Sequence, residues 1–438
     1  MVNKIILSFT GLIIGGCLNS YAGDPSFEKT FSDSTLRVDY IFAGGPGGHH
    51  IFLDSQTRFP GWAGRRNNLK ATPVKGNGNI MVTDPESGDT LYNNCFSTLF
   101  QEWISTPEAS VSSQSFENSF LVPLPRRAAD ITVSLRDNRG DEIASLTHSY
   151  RPDDVLVRNS PGTPLSPRYL HKGNESSKAV DLVILAEGYT EAEMDDFMAV
   201  AERIGNEILS YEPFASNKDK FNILAVAGAS EESGVSIPSL DSWKNTRYGS
   251  HFSTFYSERY LTVPRVWKMH RDLEGIPYES VLVLVNTDKY GGGGIFNSYQ
   301  VASSKNEFTL PVSVHEFGHS FTGLADEYDY DDNEDTMYPL DIEPWEPNIT
   351  TLVDFSSKWQ DMIDESVPVP TPWQRGGKEG KDLKKVTEMK VGAYEGAGYK
   401  RSGVFRPTVT CRMRDNYYPS FCPVCEKALL HAILFYTE

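Results

Sequence analysis

The amino-acid sequence predicts a protein of mixed α+β or α/β class. An all-β, sandwich-like N-terminal domain is expected to precede a domain that combines a mixed sheet with a helix carrying a histidine motif. Two observations predict this division. Short strand-like runs broken by turn residues fill the chain up to about residue 155, and near-continuous apolar runs alternate with helical periodicity from residue 179. At 438 residues the chain is long enough for two hydrophobic cores.

Residues 24–155 are predicted to form the β-sandwich-like N-terminal domain. The runs LRVDYIFAG, HIFLDS and NIMVTD are short and rich in β-branched and aromatic residues, as strands are. The segment ITVSLRDNRGDEIASLTHSYRP is typical of a hairpin with DNRG as its turn. Strands at this spacing indicate a sandwich. Residues 156–178 are dense in Pro, Ser and Gly and are therefore predicted to be a linker.

Residues 179–438 are predicted to form the second domain. AVDLVILAEG, FNILAVAG and ESVLVLVNT predict strands that are buried on both faces. Thr190 and Glu193 are spaced as a capping box at the start of a helix. The buried face of that helix is predicted from apolar residues at helical spacing, which are Phe197, Ala201, Ile204 and Ile208. The glycine run at 291–294 predicts a flexible loop, and NSYQVASS after it predicts a shorter strand at a sheet edge.

The first 23 residues indicate an export signal, with Lys4 before an apolar core at residues 5–16 and small residues after it. IGGC matches a lipobox that would leave Cys17 lipidated, whereas SYA ending at Ala22 fits ordinary signal cleavage. Both processing routes stay open, so the protein is expected in the bacterial periplasm, on the outer membrane as a lipoprotein, or secreted. A net charge of −18 argues against nucleic acid and against a polybasic membrane patch. Membrane contact is expected only through the lipid anchor.

Four cysteines remain once Cys17 is set aside, an even number in a compartment that permits disulfides. They are Cys95, Cys411, Cys422 and Cys425. The CPVC pair has no second CxxC that would complete a metal ribbon, and no βαβ context that would support a redox motif. The sequence therefore predicts a disulfide near the C-terminus, from Cys411 to one member of the pair, with the connectivity open.

The motif HEFGH holds His315 and His319 one helical turn apart, with Glu316 beside the first. On a helix both imidazoles project from one face and can bind one ion. Glu316 can then reach a water on that ion without binding the ion itself. Zinc lowers the pKa of such a water toward ~7, and a carboxylate can take its proton and deliver it again. The sequence predicts that a helix from residue 311 to about residue 321 carries the motif.

A third ligand is needed, and the early end of this helix indicates where it lies. Thr322 and Gly323 follow His319 closely, and glycine allows the left-handed turn that ends a helix. The chain can then double back under the metal and present either Asp326 or Glu327. The residue pattern alone leaves both carboxylates open.

The segment HEFGHSFTGLADEY resembles the bacterial IgA peptidase family of zinc metallopeptidases, whose pattern is HExxHxxxGLxDEY. VILAEGYT, LAVAGASEESGVSIP, EGAGYKRSGVFRP and FCPVC are similar to segments of that family's catalytic domain, and the N-terminal β domain is similar to the module before it. The resemblance implies a metzincin-like fold, one catalytic zinc and endopeptidase activity. It implies His315, His319 and Asp326 as ligands and Glu316 as the catalytic residue. An Asp replaces the third His of ordinary metzincins and one extra residue precedes the glycine, so Glu327 remains the alternative.

Three further features carry weaker signals. Met413, in TCRMRDNYY, follows the motif as a metzincin Met-turn does, beneath the metal, although a buried core methionine fits equally well. Tyr399 and Tyr394 are candidates to hydrogen-bond an oxyanion. The acidic run 326–335 offers oxygen ligands for calcium, but it lacks an EF-hand glycine and glutamate in register, which favours a solvated loop.

The sequence thus predicts an exported zinc metallopeptidase that acts on a protein or peptide, with immunoglobulin as the substrate that the resemblance implies for some members. The alternative is a catalytically weak surface lipoprotein that binds protein or glycan on a peptidase scaffold. Decay of that kind would remove a ligand or the glutamate, and His315, Glu316 and His319 are all present. The sequence does not indicate the cleavage-site preference or the oligomeric state.

Overall fold

The computed structural model describes residues 27–330, 337–373 and 389–438. The predicted export signal, with Cys17 and Ala22, lies outside the described residues, as do residues 331–335 of the acidic run. None of the helices within the described ranges is long and apolar enough to span a membrane.

The described N-terminal region is a β-sandwich of two sheets with the strand orders β5-β1-β2-β8 and β4-β3-β6-β7. Its elements, in chain order, are α1 (Phe27–Thr30), β1 (Phe31–Gly45), β2 (Gly48–Pro60), β3 (Gly78–Thr83), β4 (Thr90–Phe96), α2 (Leu99–Trp103), β5 (Gln114–Pro125), β6 (Ala129–Arg136), β7 (Glu142–Tyr150) and β8 (Arg158–Asn159). Side chains from both sheets meet in one hydrophobic core. The predicted β-rich character of this region is confirmed.

Strand β6 shows why the sequence folds in this way. Its residues alternate between buried and partly exposed, so that Ile131, Val133 and Leu135 point into the core between the sheets. This period of two is what a strand with one buried face requires. Strand β1 provides the opposite wall with Val38 and Phe42.

The segment at 156–178, predicted to be a linker, contributes a strand to each part of the molecule. Residues Arg158–Asn159 form β8, which pairs with β2 of the sandwich. Residues Pro167–Lys172 form a further strand, β9, which pairs antiparallel with the sheet of the second domain. Both are edge strands, and an edge strand tolerates proline and polar residues because one side needs no hydrogen-bond partner from the sheet.

The second domain is built on a mixed sheet with the strand order β13-β14-β12-β10-β11-β9. Its further elements, in chain order, are β10 (Val180–Glu187), α3 (Met194–Ile208), β11 (Phe221–Val226), α4 (Val266–Asp272), β12 (Ser280–Val285), β13 (Gly292–Ile295), β14 (Tyr299–Ser303), α5 (Thr309–Thr322), β15 (Tyr394–Ala397), β16 (Lys400–Arg406) and α6 (Pro423–Thr437). Strands β14, β12, β10 and β11 are parallel, and the strands at both edges run antiparallel to them. The predicted mixed sheet is confirmed.

Strand β10 is buried on both faces, as its continuous apolar run predicts. Leu182 and Ile184 face a core shared with α3, α5 and α6, whereas Val183 and Leu185 face a second core shared with α4. Helix α3 also follows its predicted pattern. The capping box of Thr190 and Glu193 is present, and the buried residues of the helix include the four expected from its periodicity, Phe197, Ala201, Ile204 and Ile208.

The prediction of a flexible glycine loop before an edge strand is wrong. The glycine run itself forms β13 and occupies the sheet edge, while the segment predicted for the edge is β14, which lies between β13 and β12. Glycine has no side chain, so a strand of glycines shows no alternation of polar and apolar residues. A Cβ at Gly292 would lie 2.6 Å from Glu316 Oε1, which explains why glycine is needed there.

The predicted disulfide is also wrong. Cys95, Cys411, Cys422 and Cys425 are all free and buried. The sulfur atoms of Cys411 and Cys425 are 3.8 Å apart, much farther than the roughly 2.05 Å of a disulfide bond. An even count of cysteines in the sequence is equally compatible with free thiols, three of which lie close together near the C-terminus.

Candidate metal centre

Helix α5 carries the histidine motif and ends at Thr322, close to the predicted end, with Gly323 as its C-cap. Gly323 has φ 66°, the left-handed conformation that glycine adopts without strain. Its amide donates to His319 O at 2.9 Å, and the amide of Leu324 donates to Gly318 O at 3.2 Å. These bonds turn the chain sharply, so that the residues after the helix pass back beneath its last turn.

The turn brings Asp326 to the two histidines. Asp326 Oδ1 lies 3.0 Å from His315 Nε2 and 3.3 Å from His319 Nε2. The two Nε2 atoms are themselves 3.0 Å apart. Three potential ligand atoms from His315, His319 and Asp326 therefore converge on one point.

The other nitrogen of each histidine determines which tautomer is present. His315 Nδ1 lies 3.0 Å from the carbonyl oxygen of Arg412, and His319 Nδ1 lies 2.5 Å from that of Leu324. A carbonyl oxygen only accepts hydrogen bonds, so each Nδ1 carries a proton, and Nε2 is the nitrogen of each ring that faces Asp326 and can bind a metal. Asp326 Oδ1 is buried and has no hydrogen-bond donor among the described residues. Two nitrogens and one carboxylate oxygen that face one another in this way can all bind the same cation.

The charges around these groups favour positive charge at the same point. Burial by itself would lower the pKa of His319, but the negative charges of Asp326 and Glu316 outweigh it and raise that pKa to about 9. Burial would raise the pKa of Asp326, but the two histidines outweigh it and hold that pKa well below its usual range. The carboxylates that favour a proton on His319 equally favour a metal cation between the three ligand atoms.

Glu316 lies beside the histidines without taking the place of Asp326. Its carboxylate is within 4.8 Å of the two imidazoles, and Asp326 approaches them more closely. The side chain is largely buried between α5 and the glycine strand β13. Burial raises the pKa of Glu316, and the two histidines partly oppose that rise. The arrangement leaves Glu316 available to exchange a proton with a molecule bound at the centre.

The two tyrosines predicted as oxyanion donors occupy different places. The hydroxyl of Tyr399 donates to Asp326 Oδ2 at 2.5 Å, on the carboxylate that reaches the histidines. Burial, aided by the charge of Asp326, raises the pKa of Tyr399 well above its ordinary value, so the hydroxyl keeps its proton and donates. The hydroxyl of Tyr394 instead donates to the backbone oxygen of Lys390. The structure brings Tyr399, and not Tyr394, to the candidate site.

Met413 and Glu327 lie behind the centre. A Cβ at Gly318 would be 2.8 Å from Met413 Sδ, so the thioether packs directly against the helix between His315 and His319. The amide of Glu327 donates to Met413 O at 2.9 Å. The side chain of Glu327 points away from the histidines, with Oε1 3.1 Å from Cys425 Sγ.

The described part of the acidic run proposed for calcium covers residues 326–330. Within it Asp326 faces the histidines, Glu327 faces the cysteines, and Asp329 Oδ1 lies 3.8 Å from Arg414 Nη2. Calcium binding by the remaining residues of the run stays a prediction.

A cleft of about 740 Å³ opens onto the centre, and both domains line it. Glu102 of α2 reaches it from the sandwich, where its carboxylate accepts a hydrogen bond from the hydroxyl of Tyr260. Burial raises the pKa of Glu102 to about 7, although that hydrogen bond opposes the rise. Arg259 and Tyr290 line the cleft as well. Sequence reasoning missed these residues because each lies far along the chain from HEFGH and belongs to no local motif.

Comparison with known protein families follows the same division of the chain. Residues 169–388 and 378–433 match the family model described as IgA Peptidase M64. Residues 26–147 match the model described as Peptidase M64 N-terminus. The first of these models covers more than half of the chain. A search of curated proteins found no match.

Proposed function

The chain belongs to the IgA peptidase M64 family, and from this premise we propose that it is a zinc-dependent endopeptidase that cleaves peptide bonds in an extended protein substrate. The family resemblance inferred from HEFGHSFTGLADEY is confirmed, and a peptidase activity comes with the family. We propose in addition that the activity depends on zinc, and we propose the residues that bind it and the class of substrate.

The main observation behind the proposal is that three potential ligand atoms converge on one point. His315, His319 and Asp326 present two nitrogens and one oxygen to a single point, and backbone carbonyls hold both imidazoles in the tautomer that binds a metal. Two His and one carboxylate form a ligand set that suits a catalytic zinc, which keeps a coordination position open for water or substrate. When bound, zinc supplies Lewis acidity, which polarises a carbonyl and makes water acidic near neutral pH.

Glu316 performs the proton transfers in this proposal. Its carboxylate takes a proton from the attacking water and delivers it to the nitrogen of the departing amine. The position of the side chain supports this role, because it stands beside the three ligand atoms while lying outside the closest set. A carboxylate that is held out of bulk water also competes less with solvent for the proton.

The glycine strand β13 supports an extended substrate. It is an edge strand of the sheet, it lines the cleft, and it lies directly against Glu316. Gly292 already forms a β-bridge with Tyr260, and an extended peptide can add to the rest of this edge through backbone hydrogen bonds, which would align its scissile bond with the centre. We assign this role to Gly292–Ile295, because this segment, and not the predicted edge strand NSYQVASS, lies at the edge of the sheet.

The proposed substrate is a protein or peptide, and immunoglobulin A is the first candidate because the family description names it. The proposed location is outside the cytoplasm, either anchored through a lipid at Cys17 or released after cleavage near Ala22. Comparing the mature N-terminal residue by mass spectrometry would separate these two forms.

Substitution of Glu316 by Gln tests the proposal. Glu316→Gln should keep its zinc, because the three ligands are untouched, and should lose about 10²–10⁴-fold in the rate of peptide cleavage. Glu307→Gln, on the exposed turn before α5, is the matched control and should cleave like the wild type. A Glu316→Gln protein that holds zinc and still cleaves at the wild-type rate would contradict the assigned role.

A further inference from the structure

A second cluster of potential metal ligands lies behind the candidate centre. It consists of the side chains of Glu327, Cys411, Cys422 and Cys425, which we name the cysteine cluster. All four residues are fully buried, and their ligand atoms lie within 4.8 Å of one another. The peptidase chemistry proposed above uses none of them.

The distances within the cysteine cluster match a tetrahedral metal site. Two thiolates that each bind zinc at about 2.3 Å with a tetrahedral angle stand about 3.8 Å apart. Cys411 Sγ and Cys425 Sγ are 3.8 Å apart. Glu327 Oε1 is 3.1 Å from Cys425 Sγ, so the carboxylate occupies a neighbouring corner.

Backbone amides point at two of the sulfur atoms. The amide of Cys422 lies 3.2 Å from Cys411 Sγ, and the amide of Cys425 lies 3.5 Å from Cys422 Sγ. Cys422 is the N-cap of α6, where the helix dipole also favours negative charge. These amide donors would stabilise the negative charge that the two sulfur atoms carry when they bind a metal.

The carboxylate of Glu327 provides an independent observation. Asn348 Nδ2 donates to its Oε1 at 3.0 Å, but Oε2 has no hydrogen-bond partner in the described part of the chain. A fully buried carboxyl oxygen without a partner is costly. This cost disappears if the oxygen faces a cation.

We propose that Glu327, Cys411, Cys422 and Cys425 bind a second metal ion, a structural zinc. Three thiolates and one carboxylate are four protein ligands, which close a tetrahedral zinc site and leave no position for a substrate. Thiolate ligands select zinc over calcium and magnesium. The site joins three separate parts of the chain, which are the segment after α5, the loop before Met413, and the start of α6.

This second site supports the first one through the backbone. Cys411 is followed by Arg412, whose carbonyl orients His315, and by Met413, which packs under α5. Glu327 follows Asp326 directly in the chain. A metal at the cysteine cluster therefore holds both the residue next to the third ligand and the loop that fixes the first ligand. Its binding free energy adds to the free energy of folding.

Metal analysis of the purified full-length chain, prepared without chelator, tests the inference. Elemental mass spectrometry should find about two zinc ions per chain, one for each group of ligands. The double variant Cys422→Ser/Cys425→Ser should lose one ion, and His315→Ala/His319→Ala should lose the other. Cys95→Ser is the matched control, since Cys95 is buried and free but lies in the sandwich, and it should keep both ions.

The wild-type protein also allows a test that does not depend on the folding of the variants. After cobalt replaces zinc, the cysteine cluster should give thiolate-to-cobalt charge-transfer absorption, and this should persist in His315→Ala/His319→Ala. Alkylation of Cys411, Cys422 and Cys425 in the native protein should require a chelator.

Two results would overturn the inference. One is a single metal ion per chain that His315→Ala/His319→Ala removes completely. The other is an intact mass that shows a disulfide among the three cysteines. Because the readouts are metal content, absorption and mass, a failed peptidase assay with Glu316→Gln would leave this inference standing, and the reverse also holds.

Discussion

At the scale of single residues, the hydroxyl of Tyr399 determines how the carboxylate of Asp326 is oriented. One oxygen of Asp326 accepts from Tyr399, and the other faces His315 and His319. The tyrosine therefore acts through Asp326, the proposed third ligand, and we regard it as a positioning residue. Hydrogen bonds of this kind to a metal ligand contribute about 10–100-fold to metal affinity or activity.

Removing the Tyr399 hydroxyl should weaken the proposed metal site. Tyr399→Phe should weaken zinc binding about 10–100-fold, as measured by competition with a chelator, because Asp326 loses its fixed orientation. Tyr394→Phe is the matched control and should bind zinc like the wild type, since its hydroxyl contacts only Lys390 O in the described structure. If Tyr399 acts as an oxyanion donor instead, Tyr399→Phe would lower kcat while leaving zinc affinity unchanged.

The spacing of residues along the sequence predicts the part of the site that lies on one helix, but not the part that follows the helix. His315, Glu316 and His319 share one helical face, so their spacing alone indicates a shared site. Asp326 and Glu327 are adjacent, and only the path of the chain after Gly323 decides that the first faces the histidines and the second the cysteines. That path depends on packing against distant segments, which no short stretch of sequence contains.

At the scale of elements, the contact between the glycine strand β13 and helix α5 defines one side of the centre. A Cβ at Gly294 would lie 2.6 Å from Glu316 O and 2.8 Å from His319 Cβ. These distances are too short for any side chain. The strand therefore approaches the helix closely only because its first three residues are glycines, and this brings a sheet edge next to Glu316.

Gly294→Ala tests the importance of this close approach. The added methyl group should force β13 and α5 apart, lower the free energy of unfolding by about 1–3 kcal/mol and reduce kcat/KM. Denaturant unfolding and a peptide cleavage assay measure the two effects. Gly47→Ala, where a Cβ would have open space, is the control and should change neither. Wild-type kcat/KM in Gly294→Ala would contradict the view that the substrate aligns along this edge.

Periodicity explains which elements the sequence reveals. Helix α3 and strand β10 bury regular sets of side chains, and both appear where the pattern predicts them. Strands β8, β9 and β13 lie at sheet edges and are polar, proline-containing or made of glycine. Such strands owe their structure to a partner strand, so their own side chains carry little signal.

At the scale of the whole molecule, the two domains are joined through buried polar contacts. Arg37 of β1 pairs with Asp39 of its own strand at 3.0 Å and with Glu274 of the second domain. The amide of Ser97 donates to Phe296 O at 2.9 Å, next to the glycine strand. The sandwich thus helps to hold the wall of the cleft. No sequence pattern could reveal a pair such as Arg37 and Glu274, whose positions differ by 237 residues.

Two ion pairs across the domains allow a matched comparison. Arg37→Ala leaves the buried carboxylates of Asp39 and Glu274 with serine hydroxyls but without their cation, and should lower the free energy of unfolding by about 3–5 kcal/mol. Arg139 pairs with Asp341 at 2.7 Å but both side chains are largely exposed, so Arg139→Ala should unfold like the wild type. Equal effects of the two substitutions in chemical denaturation would contradict this account of the interface.

On the sandwich side the cleft is bordered by loop residues that include Ser105, Thr106 and Asn138, whereas the histidines and Glu316 belong to the other domain. Under the proposed function, the surface that meets the substrate can therefore be altered without disturbing the histidines and Glu316. Loops of a β-sandwich accept insertions and substitutions readily, because they lie outside its core. Changes confined to those loops offer a route by which relatives of this peptidase could acquire new substrates while the proposed catalytic residues stay unchanged.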